Sequence, residues 1–131
     1  MPAIQAQIWT GSTFTVEHKE GKTPCRVIFH LAGPFTARDM FSSLTPLAPR
    51  NMFEFPADDN PPSLNIFDLT QVAYMDSAGI GIIVSHYVRC QDKGIRMIAA
   101  GGSPRVLQLF KITKVDTFIP VTATVEEADV D

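Results

Sequence analysis

Residues 65–94 read NIFDLTQVAYMDSAGIGIIVSHYVRCQDKG, and the period of the apolar residues changes partway along. Leu64, Ile66, Phe67 and Leu69 form a short, mostly apolar run, which suits a strand buried on both faces. Thr70 and Gln71 break it, and Val72 to Met75 lead into Asp76-Ser77-Ala78-Gly79. From there Ile80, Ile83, Val84 and Tyr87 recur at i, i+3, i+4 and i+7, the apolar face of a helix. Gly94 supplies the stop, because the C′ residue is often left-handed and glycine takes that geometry without steric cost. Ser77 therefore falls where a loop leaving a buried strand becomes a helix.

That helix start carries two unusual features. Gly79 and Gly81 both fall in its first turns, where each costs about 1 kcal/mol relative to alanine. Keeping both implies that another element or a partner comes close to the backbone there. The first N–H groups of a helix also lack internal acceptors and carry partial positive charge, so a phosphate on Ser77 would meet ready donors. The simpler alternative is plain capping by Asp76 or Ser77, and on the helix start alone it is the stronger reading.

Outward from this unit, the chain alternates strands and helices. Residues 4–9 are weakly patterned, an irregular lead-in or a short edge strand. Phe14, Val16 and His18 alternate with Thr15 and Glu17, and Cys25, Val27, Phe29 and Leu31 alternate again after the turn at Glu20-Gly21-Lys22. These two runs predict an antiparallel hairpin. Gly33-Pro34 ends it, and Thr36 with Asp39 opens a capping-box-like helix carrying Met40, Phe41, Leu44 and Leu47. Residues 46–62 hold five of the ten prolines, which predicts a long loop insertion. In it Met52, Phe53 and Phe55 either pack back onto the domain edge, the favoured reading, or form a partner surface. Shortening residues 52–60 is expected to leave stability nearly unchanged. Ile95 to Ala100 reads as a further buried strand, and Ser103-Pro104 starts a helix with Val106, Leu107 and Phe110 on its buried side. Phe118, Ile119 and Val121 predict a last short strand, and Thr124 with Glu127 caps a terminal helix that frays into the acidic tail. The fold class is α/β: a mixed β-sheet with an N-terminal antiparallel hairpin, then alternating strands and helices, packed with about four helices.

The strand, the short hydrophobic turn, Asp76-Ser77-Ala78-Gly79 and the amphipathic helix ending in Lys93-Gly94 resemble the centre of STAS domains. These modules are shared by sulphate transporters and anti-sigma factor antagonists. The resemblance runs over residues 27–128, specific in the centre and looser at both ends. It implies one STAS-like domain over residues 1–131. In the antagonists, a serine after the aspartate is phosphorylated by a partner kinase that is itself the anti-sigma factor. Ser77 matches that serine, with Asp76, Ala78, Gly79, Gly81 and Thr36 as its supporting residues. The resemblance thus implies a bacterial, cytoplasmic phosphoprotein of transcription regulation, whose partners are a serine-kinase anti-sigma factor and a phosphatase. Two departures point to the alternative, an unphosphorylated STAS adaptor subunit of a signalling or transport assembly. The turn reads Gly33-Pro34-Phe35-Thr36, without the carboxylate many antagonists carry there, and Ala78 replaces a second serine.

Other classes fit the 131 residues less well. A 45% hydrophobic chain of this length is expected to bury one core without staples. A formal net charge of −3, with no run of Lys or Arg, disfavours nucleic acid as the main partner. No apolar run approaches the ~20 residues needed to span a bilayer, the N-terminus lacks a signal-peptide pattern, and Met1 suggests a free-standing protein. Cys25 and Cys90 are expected to be buried, reduced thiols, and their spacing suggests no metal site. No cofactor motif is present, since no Gly-Lys-Ser/Thr follows Gly101-Gly102. Met75 stands where a nucleophile elbow needs glycine, and His86 lies ~13 Å along the helix from Ser77, too far to serve as its base. The sequence favours a binding module over an enzyme.

Overall fold

The computed structural model describes residues 15–22, 25–37, 55 and 62–130, and the backbone alone of 7–10. Strands β1 (Gln7–Thr10), β2 (Thr15–Glu20) and β3 (Arg26–Ala32) run antiparallel in succession. Then follow β4 (Leu64–Gln71), helix α1 (Ser77–Asp92), β5 (Arg96–Ala100), helix α2 (Pro104–Ile112), a 3₁₀ turn (Val115–Thr117), β6 (Val121–Thr122) and helix α3 (Val125–Ala128). The six strands lie side by side in sequence order, with β3 to β6 parallel. Parallel neighbours require crossovers, which the helices supply after β4 and β5.

The expected hairpin and alternating pattern are present, and β1 takes the edge position. The helix expected to run on from Thr36 lies outside the described residues beyond Ala37, as do Met52 and Phe53. Thr124 caps α3 as expected, its hydroxyl accepting the Glu127 N–H at 3.1 Å. Ser103 accepts the Val106 N–H at the start of α2, with Pro104 in the first helical position. At the end of α1, Gly94 has φ +70°, the left-handed stop its position implied.

The sheet is covered on both faces. On one, Phe29, Leu31, Phe67, Leu69, Met97 and Ala99 pack with Ile80, Ile83 and Cys90 of α1 and Val106 and Phe110 of α2. On the other, Ile28, Ile66, Ile98 and Ala100 pack with Ala128 and Val125 of α3. This second layer corrects the one-sided alternation expected of β3. Arg26 and Ile28 are buried along with Val27, Phe29 and Leu31, whereas Cys25, before the strand, is exposed. The expectation of two buried thiols therefore holds for Cys90 alone. Nor does the tail fray at once. Asp129 is buried, accepting from Arg26 Nη1 at 2.9 Å on both its carboxylate and its main-chain oxygen, and from the Lys22 N–H at 2.9 Å. A carboxylate so satisfied tolerates burial, and it ties the end of α3 to the β2–β3 turn.

Phe55 is half-buried and stacks on Phe29 (ring centroids 5.6 Å apart) and against His86 (5.2 Å). This is the packing role weighed above against a partner surface, with residue 55 partly buried against the core.

Candidate functional site

The loop that leaves β3 and the loop that leaves β4 run together before α1 begins. Gly33 N–H donates to Gln71 O (3.0 Å), Phe35 N–H to Tyr74 O (3.0 Å) and Asp76 N–H to Phe35 O (3.3 Å), with a parallel bridge between Phe35 and Met75. Phe35 is fully buried and Thr36 nearly so, which anchors the first loop in the core.

Asp76 closes this junction with both carboxylate oxygens. Oδ1 accepts the N–H groups of Ala78 (3.0 Å) and Gly79 (3.1 Å), capping α1. Oδ2 accepts the Ala37 N–H at 3.1 Å, from the other loop. One side chain thus fixes the start of α1 and holds the β3 loop against it. Capping falls to Asp76 and not Ser77, as its extended φ/ψ of −110° and −171° allows.

Gly79 shows why glycine is needed there. A Cβ at this position would lie 2.5 Å from Phe35 O, so the two backbones meet more closely than any side chain permits. Gly81 is different. Among the described residues nothing lies within 4 Å of where its Cβ would be, and the residue is exposed, so of the two approaches expected these residues supply only the one at Gly79.

Ser77 is exposed as the first residue of α1, and among the described residues its hydroxyl makes no hydrogen bond. The junction therefore presents a hydroxyl to solvent on a rigid base. Two of the donors expected to await a phosphate, the N–H groups of Ala78 and Gly79, are already held by Asp76. Ala78 is half-buried against the core, and Tyr74, beside the site, stacks under the Arg105 guanidinium at 5.1 Å. The Ala37 bond and the Arg105 stack escaped the sequence reading. Both join residues about thirty or more positions apart, and no local pattern signals either.

His86 lies on the buried side of α1, not beside Ser77. Asn65 Nδ2 donates to Val27 O (3.0 Å), so its Oδ1 accepts from His86 Nε2 at 2.7 Å. Burial presses the imidazole from its ordinary 6.5 to about 3, with smaller pushes from Arg89, Lys93 and His18. A neutral, core-facing ring of this kind supports packing, not proton transfer at Ser77. His30 Nδ1 lies 2.7 Å from Asp68 Oδ2, on the opposite sheet face to His86. Among the described residues no cluster of three or more His, Cys, Asp or Glu is placed to hold a metal ion, and no helix is long and apolar enough to cross a membrane.

Comparison with known proteins agrees with this architecture. The STAS domain family model matches residues 15–128. An anti-sigma-B factor antagonist of Listeria monocytogenes is 35% identical over 54 residues, which is 41% of this chain and 47% of that protein. The chain therefore aligns with about half the length of that relative. A candidate anti-sigma factor antagonist from Thermotoga maritima superposes with a TM-score of 0.70 at 19% identity, covering 85% of this chain and 88% of that one. The STAS domain of a SulP transporter from Vibrio cholerae gives 0.59 at 22% identity, covering 77% and 75%. At such identities the structures share the fold with this chain, and the family model supplies the rest: the chain belongs to the STAS domain family.

Proposed function

We propose that this protein is an anti-sigma factor antagonist, a binding switch that docks its Ser77 end onto a kinase-type anti-sigma factor. Phosphorylation of Ser77 turns docking off, a phosphatase restores it, and the cycle runs in the cytoplasm. The observation that carries the reading is the exposed Ser77 hydroxyl, unbonded among the described residues and held on the Asp76-clamped junction. A kinase needs a serine it can reach, and a switch needs a platform that keeps its shape.

The energetics favour a switch without unfolding. A phosphate adds roughly −1.5 to −2 charge. On the exposed first residue of α1, the helix N-terminus offsets about 0.3–1 kcal/mol of its repulsion from Asp76. In a packed interface the same group must shed water, and an unpaired buried charge costs several kcal/mol. Even about 3 kcal/mol is more than a hundredfold in affinity.

The adaptor reading keeps one observation in its favour: buried Thr36 occupies the turn where many antagonists carry a carboxylate. Affinity capture from the native cell, on wild-type, Ser77→Ala and Ser77→Asp baits, separates the two. The switch reading expects an ATP-binding partner on Ser77→Ala, its loss on Ser77→Asp, cooperative melting of both, and phosphate mapped to Ser77. Equal capture by both variants, with Ser77 unmodified, leaves the adaptor reading.

A further inference from the structure

At the opposite end of α1 from Ser77, the sheet has an unfinished edge. Ala99 N–H donates to Pro120 O (2.9 Å) and Gly101 N–H to Thr122 O (3.0 Å), so every second residue of β5 turns its backbone groups toward β6. Met97 is the next residue in that phase. Pro120 has no N–H to offer the Met97 carbonyl, and the β5–β6 pairing begins only at Ala99 and Val121. Among the described residues no backbone acceptor meets the Met97 N–H on this side either. Pro120 thus deprives the Met97 carbonyl of its ladder donor, and the Met97 N–H beside it is likewise unmet among the described residues, because the chain bends at Phe118 and Ile119 before β6 begins.

These groups face a groove of about 330 Å³, lined by Tyr87, Gln91, Arg96, Met97, Phe118 and Pro120 among others. Its two walls belong to opposite faces of the sheet. The rings of Tyr87 and Phe118, centroids 5.1 Å apart, stand on the α1 side, and Phe118 is exposed. Arg96 is in phase with Ile98 and Ala100, which pack under α3, so it leaves the strand on the other side. Among the described residues that line the groove, it is also the one that carries a charge.

We propose that this edge binds an extended peptide segment of a partner protein by strand addition, the segment alternating apolar side chains toward Tyr87 and Phe118 with acidic ones toward Arg96. The free backbone pair at Met97 calls for a peptide backbone. The walls on either side call for the period of two that a strand provides, and the lone guanidinium selects its charge. Tyr87 and Gln91 lie ~15–21 Å along α1 from Ser77, so this site stands apart from the phosphorylation switch.

The probe is acetyl-Val-Glu-Val-Glu-Val-amide, titrated into the ¹⁵N-labelled full chain. Its Lys-for-Glu counterpart and two versions N-methylated on alternate residues serve as controls. In the free protein, the Met97 amide should exchange with solvent roughly tenfold or more faster than those of Arg96 and Ile98, which bond toward β4. Saturation with the Glu peptide should slow it by a similar factor. The Lys peptide should bind at least about fivefold more weakly, Arg96→Glu should reverse that preference, and one of the two N-methylated peptides should lose binding. Met97 protected like its neighbours in the free protein, no shifts at the groove with either peptide, or full binding by both N-methylated forms would each overturn the proposal.

Discussion

Gly79→Ala and Gly81→Ala add the same methyl group two residues apart on one helix, and they are expected to move stability in opposite directions. Helix propensity alone says that each should stabilise by about 1 kcal/mol. At Gly81 no described residue opposes it, since none comes within 4 Å of the new Cβ, and a gain of about 0.5–1 kcal/mol is expected. At Gly79 the Cβ would lie 2.5 Å from Phe35 O and 3.2 Å from Phe35 Cδ2. A carbon–oxygen contact settles near roughly 3.3 Å, so the first turn of α1 or the β3 loop must retreat by about 0.8 Å. Overpacking of this kind costs about 1–3 kcal/mol. The retreat also stretches the bonds that Asp76 makes to Ala37, Ala78 and Gly79, and bonds to a charged acceptor are worth about 1.5–3 kcal/mol each when lost. After the propensity gain, Gly79→Ala should be destabilised by about 1–3 kcal/mol. Urea unfolding with matched m-values measures both variants against wild type. A Gly79→Ala protein as stable as wild type, or more so, would refute the close crossing at Phe35.

Three further outcomes follow from the buried groups. The depressed pKa of His86, about 3 against an ordinary 6.5, means that the unfolded chain takes up a proton the folded one refuses. Its contribution is complete above pH 6.5 and is lost as pH falls toward 3, by up to about 1.4 kcal/mol per unit. Urea midpoints at pH 7 and 5 should fall less in His86→Gln than in wild type, and parallel falls would count against this. Native protein should show one fast-reacting thiol, abolished by Cys25→Ser. Cys90, whose pKa burial pushes up to about 11, should react only on unfolding, and two fast thiols or none would contradict the burial pattern. Phe55→Ala should cost about 1–2 kcal/mol in urea unfolding because its ring stacks on Phe29 and His86, and an unchanged midpoint would instead support the expectation that residues 52–60 are dispensable.

Much of this was legible because it rests on local periodicity. The change of period at Asp76, the caps at Ser103 and Thr124 and the stop at Gly94 are each set by a few neighbouring residues, and each appears where the sequence puts it. What escaped depends on residues far apart in the chain. Arg26 looked like an outward strand position and is buried because Asp129, 103 residues on, supplies its counter-charge. Cys25 continued an apolar alternation yet lies outside, because β3 starts only at Arg26. The last strand, expected over Phe118, Ile119 and Val121, starts only at Val121, because the chain leaving the 3₁₀ turn at Val115–Thr117 is still bending at Phe118 and Ile119, and Pro120 has no N–H to extend the pairing. At the candidate site, the sequence placed Ser77 and the helix start. It did not assign the second oxygen of Asp76 to Ala37, a contact made only once two loops have come together.

That contact decides how a phosphate at Ser77 must act. A phosphoserine at the first position of α1 could in principle displace Asp76 and take the N–H groups of Ala78 and Gly79 for itself. Asp76 would then give up three bonds, of 3.0, 3.1 and 3.1 Å, while the phosphate regained two at most. The Ala37 N–H would be left over, at the penalty of about 1–3 kcal/mol for an unpaired donor away from water. Repulsion between the phosphate and a released Asp76 carboxylate would remain, since neither leaves the junction. The clamp should therefore hold, with the phosphate standing outside it in water, so that the modification acts on the partner's approach and not on the shape of the domain. Amide exchange gives the test: the Ala37, Ala78 and Gly79 N–H groups should stay as protected in Ser77→Asp and in the phosphorylated protein as in the unmodified one. Loss of protection at Ala37 on phosphorylation would mean that the phosphate has taken the cap and that the β3 loop carries the signal instead.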